Sequence, residues 1–197
     1  MTQMLPPVLE RIRQLGFAVF SDGDYDLNVF GIRSKERRAG EWDDLLGVAY
    51  KVDGQWIVRC YPATTDIGLK HLHSPINVKG GAILVADRQY RSVYRIAKHR
   101  GKYQALCQRA GKVAVYRDDN RDSTLDMDES QIEEGMFGIN IHRAHPTIEL
   151  AKVRGYSAGC QVFKSPKAFA QFMGVCRKQV KLRGWDTFTY TLLNQWW

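Results

Sequence analysis

The sequence predicts a β-rich α+β domain with one helix near each end. Short apolar, β-branched runs bounded by Asp and Gly recur through the body of the chain. Helical spacing of apolar residues occurs only near the two termini. Asp53-Gly54 between two apolar runs is a strong hairpin signal.

Pro7 to Gly16 reads as a short amphipathic helix, because Val8, Leu9, Ile12 and Leu15 recur at helical spacing. Pro7 suits the first turn and Gly16 a terminus. Phe17–Phe20 and Leu27–Ile32 follow as short strands. Leu46–Val52 and Gln55–Tyr61 form the hairpin around Asp53-Gly54. Ala82–Val85, Val113–Tyr116, Phe137–His142 and Gln161–Phe163 are further strands. The late helix spans 165–182: Ser165 caps it, Pro166 opens it, and Phe169, Phe172, Cys176 and Val180 form one apolar stripe. That stripe assigns Cys176 to packing. Phe188–Leu193 reads as a terminal strand.

With 197 residues, 44% hydrophobic and 25% charged, the composition is globular, and one domain over 1–197 is expected. No apolar run is long enough for a membrane span. The first sixteen residues lack the apolar core of a secretory signal, so synthesis without a signal peptide is expected. Cys60, Cys107, Cys160 and Cys176 are widely spaced, which excludes a zinc ribbon and favours reduced thiols. The net charge is +8, and from Gly135 onward nine Lys/Arg face only two acids, Glu149 and Asp186. Such a surface suits an anionic partner or is simply a solvated face.

The chemistry concentrates around Cys160. Ser157-Ala158-Gly159-Cys160 is a turn before a strand, and a Gly before a nucleophile lets substrate approach the backbone. His142, at the end of an apolar strand, is the candidate base. Strand alternation puts Asn140 and His142 on one face and turns Ile139 and Ile141 into the core. A reactive thiol of this kind is expected to have a depressed pKa.

His142, seventeen residues, then Ser-x-Gly-Cys resembles the L,D-transpeptidase catalytic motif over Gly135–Phe163. The phrases Gly-Ile-Asn-Ile-His-Arg and Ser-Ala-Gly-Cys-Gln-Val-Phe also have the look of a phage-associated group. The resemblance implies a β-sandwich or barrel, a thioacyl-enzyme on Cys160, His142 as base, and Ser157 and Gly159 supporting the turn. Ala158 stands where His is usual, Gln161 where a hydrophobic residue is usual, and Val162 where Arg or Asn is usual. Arg143 or Arg154, with Asn140, would then bind substrate. The implied partner is a peptidoglycan stem peptide. Without an export signal, a hydrolase reaching the wall by lysis or delivery, such as a phage lysin, is the expected form. No cofactor is required for that chemistry. The competing reading is a basic binding module for nucleic acid or a virion component, with Cys160 structural.

Two further segments carry candidate chemistry. Asp118, Asn120, Asp122, Asp126 and Glu129 fall at calcium-loop spacing, although Ser123 replaces the turn glycine and a strand precedes the loop. Lys98 to Tyr103 is a basic run with an aromatic, a weak nucleic-acid patch or the wall of a groove for an anionic substrate. Thr64-Thr65-Asp66 reads as polar turn chemistry, and His71 and His73 as ordinary polar positions.

Overall fold

The computed structural model describes residues 4–36 and 38–197. Eight strands close into a barrel: β1 (Asn28–Arg33), β2 (Asp44–Val52), β3 (Gln55–Thr64), β5 (Arg88–His99), β6 (Tyr103–Gln108), β9 (Ile141–Arg143), β10 (Gln161–Phe163) and β11 (Thr187–Asn194). Their order around the barrel is β1-β11-β5-β6-β9-β10-β3-β2. The pairs β1/β11 and β9/β10 are parallel, and the other six are antiparallel. A separate antiparallel sheet has the order β4-β7-β8, from β4 (Gly81–Leu84), β7 (Val113–Asp118) and β8 (Ile132–Gly135). The helices are α1 (Pro7–Gln14), α2 (Leu69–His73) and α3 (Pro166–Arg183). None is long and apolar enough to cross a membrane.

The period-2 alternation of strands explains how β1 is buried throughout. Val29 faces the main core with Val48, Tyr190 and Leu192. Phe30 and Ile32 face the other way, against Val8, Leu9 and Ile12 of α1. Covering Leu9 and Ile12 stabilises the fold by about 1.5–3 kcal/mol each. The apolar stripe of α3 packs on the main core, where the Phe172 and Phe163 rings lie 5.0 Å apart and Cys176 is fully buried. The Ser165 hydroxyl accepts from Ala168 N–H, and Gly184 ends α3 in the left-handed region.

Two expectations change. Phe17–Phe20 is not a strand, because side chains take up its backbone groups. Asn28 Oδ1 accepts from Phe20 N–H and its Nδ2 donates to Phe20 O, while Gln89 pairs with both backbone groups of Ala18. Of Phe137–His142 only the end is strand. Gln108 Oε1 accepts the N–H groups of Phe137, Gly138 and Ile139, replacing a ladder. His71 and His73 sit on α2, bonded to Gly155 O and Ser123 Oγ.

Candidate active site

Parallel pairing of β9 with β10 sets Gln161 beside Ile141 and Val162 beside His142. Gln161 N–H extends the pairing to Asn140 O, which brings Cys160 alongside Asn140. Ile139 and Ile141 are buried in the core, as alternation predicts, while Asn140, His142 and Cys160 line one cavity of about 880 Å³.

The Cys160 turn is braced from below. The fully buried Ser157 hydroxyl lies 2.7 Å from Asp66 O and 2.8 Å from Cys160 O, and it accepts from Gly159 N–H. Ser157 therefore holds the turn rather than facing the cavity. Gly159 has φ +112°, and a Cβ there would sit 2.4 Å from Ala82 O in β4. Gly159→Ala is expected to displace the turn from the small sheet, lowering the unfolding midpoint in a thermal melt and reducing Cys160 function at least tenfold. A variant with wild-type melting and activity would contradict this account of the turn.

His142 is oriented by its neighbour. His142 Nδ1 lies 2.8 Å from Arg143 O, and a carbonyl only accepts, so Nδ1 carries the proton and Nε2 is free to take one. Tyr103 OH donates to the same carbonyl at 3.2 Å, and the Arg143 guanidinium lies 4.2 Å from the Tyr103 ring centre. The His142 ring stacks on His99 with centres 4.1 Å apart.

Cys160 Sγ donates to Gly138 O at 3.6 Å and accepts from Asn140 N–H at 3.4 Å. Among the described residues no hydrogen bond joins it to His142. Burial pushes its pKa up to about 11, opposite to the depressed value expected of an exposed nucleophile. Burial, and then the His99 ring, hold His142 down at about 3. The resting pair is therefore thiol and neutral imidazole.

The remaining predicted residues divide. Arg143 lines the cavity; Arg154 is exposed and does not. Asn140 lines it but is tied between Gln108 N–H and His99, so its role is in the framework. In the acidic loop, the Asn120 amide donates to both Asp122 and Asp126, occupying the space between those carboxylates. Asp118 accepts from Asp126 N–H, and Glu129 opens a 3-10 turn. Among the described residues no group of three or more His, Cys, Asp or Glu side chains is placed to hold a metal ion.

Comparison with protein-family models, curated proteins and solved structures finds no match.

Several cavity residues escaped the motif. The β5–β6 hairpin delivers His99, Arg100, Lys102 and Tyr103, which are four of the six residues in the Lys98–Tyr103 run. That run was the available signal. Arg117 comes from β7 and leaves no local signal. Among the described residues the wall contains four cations and no carboxylate. Arg117 pairs with Glu133, whereas Arg100, Lys102 and Arg143 have no ion-pair partner among the described residues.

Proposed function

We propose that the protein is a cysteine-dependent acyl-transfer enzyme that hydrolyses peptidoglycan stem peptides, as an L,D-carboxypeptidase or endopeptidase related to transpeptidases. The observation that carries this reading is that Cys160 and a His142 held through Nδ1 line one cavity, three of whose four cations have no ion-pair partner among the described residues. Stem peptides carry free carboxylates, which such a wall attracts. Arg143, which lines the cavity, would pair with one of them.

In this mechanism His142 Nε2 takes the Cys160 proton as sulfur attacks the peptide carbonyl carbon. The tetrahedral adduct expels the amine, which receives the proton back from His142. Water, deprotonated by His142, then attacks the thioester, releasing the acid and restoring the thiol. Because the resting pair is neutral, proton transfer accompanies attack rather than preceding it. A carboxylate bound nearby makes imidazolium formation less costly.

Incubation of the protein with purified sacculi is expected to release new stem-peptide products detectable by mass spectrometry. Absence of any cleavage would reject this substrate class. The free thiol also has a signature. With its pKa at about 11, Cys160 alkylation by iodoacetamide should rise about tenfold per pH unit from pH 6 to 9. The label must be read peptide by peptide, because Cys60 is exposed. A rate plateau near neutral pH would contradict the neutral resting pair.

A further inference from the structure

His99 sits at the end of β5, forty-one positions from Asn140 in sequence and in hydrogen-bond contact with it. Its protonation is set by a chain of unambiguous donors. Gln108 N–H can only donate, and it meets Asn140 Oδ1 at 2.9 Å. The Asn140 amide nitrogen must therefore be the atom 3.1 Å from His99 Nδ1, and that nitrogen accepts. The single proton of a neutral His99 then resides on Nε2. Among the described residues Nε2–H has no protein acceptor, and His99 lines the cavity beside Cys160 and His142.

We infer that His99 is a fixed hydrogen-bond donor for the acyl oxygen of the substrate, stabilising the oxyanion formed when Cys160 attacks. The inference rests on the acyl-transfer reading above and adds a residue outside the Cys–His motif. Three features suit the task. The ring cannot turn without breaking its bond to a buried amide. Burial holds its pKa down to about 4, so it remains a neutral N–H donor through the neutral range. Its stack on His142 places donor and base on the same wall. A donor that is already in place needs no reorganisation as negative charge develops on oxygen, which is the physical source of oxyanion stabilisation.

The test separates chemistry that makes an oxyanion from chemistry that does not. Acylation of Cys160 by p-nitrophenyl acetate passes through a tetrahedral oxyanion; alkylation by iodoacetamide is displacement at saturated carbon. His99→Phe keeps a ring against His142 but has no N–H. It should slow acylation about 100-fold while alkylation stays within about twofold. His99→Gln, which restores an N–H donor, should recover part of the acylation rate. Equal losses in both reactions, or no loss in either, would overturn the assignment. Nitrogen NMR of the wild-type protein needs no variant to fold: it should show His99 protonated at Nε2 at neutral pH, and protonation at Nδ1 would overturn the donor role. If wild-type Cys160 is alkylated but never acylated, the acyl-transfer reading fails and the donor role with it. If it is acylated with this His99 dependence but sacculi remain intact, only the peptide class is wrong.

Discussion

Cys160→Ala is expected to abolish release of stem-peptide products, while Cys176→Ala retains it. The two residues are chemically alike and differ in place. Cys160 lines the cavity with His142 and is held by Gly138 O and Asn140 N–H. Cys176 lies on the buried face of α3, and burial pushes its thiol far above the ordinary range, so it is an inert packing group. Removing its sulfur costs about 1 kcal/mol of stability, near the value of one buried methylene. Side-by-side product analysis and thermal melts of both variants check this. Full activity in Cys160→Ala would end the nucleophile assignment. Loss of activity in a well-folded Cys176→Ala would show that the core of α3 contributes more than packing.

Arg33→Met is expected to be the most destabilising single change among the buried polar residues, at about 3–5 kcal/mol. Arg33 Nε lies 2.7 Å from Asp66 Oδ1, and both side chains are almost wholly buried. The guanidinium also donates to Thr65 O and Thr65 Oγ1, while Asp44 accepts from Thr65 N–H and its hydroxyl. Without Arg33, two carboxyl groups remain in the interior with no cation. The consequence reaches the Cys160 turn, because Asp66 O braces Ser157 and Thr65 O receives Gln161 Nε2.

The pH dependence of this network has a definite sign. Burial pushes the Asp66 pKa up to about 7, against the opposing pull of Arg33. Between pH 4 and 7 the unfolded chain has already lost that proton while the folded chain retains it. The stabilisation is fully present below the unfolded pKa and is lost as pH rises toward 7, by about 1 kcal/mol per unit. Asp66→Asn should flatten this part of a denaturant-derived stability profile. It should also recover part of the loss in an Arg33→Met background, since one buried carboxyl group without a cation partner is gone. A profile of unchanged slope in Asp66→Asn would assign the pH dependence to other groups.

The sequence by itself determined the local elements and the faces they present. Pro7, the Val8-Leu9-Ile12 spacing and the Ser165 cap define α1 and α3 because helix signals lie within a turn of one another. Alternation separated Ile139 and Ile141 from Asn140 and His142 for the same reason. Strand β5 was not legible: Arg88–His99 is rich in charge, and Ser92 at φ +53° interrupts its regular pairing with β11. Asp66 looked like turn chemistry because nothing nearby in sequence announces Arg33. Only the tertiary structure decided that β9 and β10 run parallel, that a hairpin tip lays His99 on His142, and that burial drives Cys160 up and both histidines down. Periodicity reports which side of its own strand a residue occupies. It carries no record of which distant strand lies alongside, nor of how much water the folded neighbours exclude, and these two facts set the geometry and proton affinities of this site.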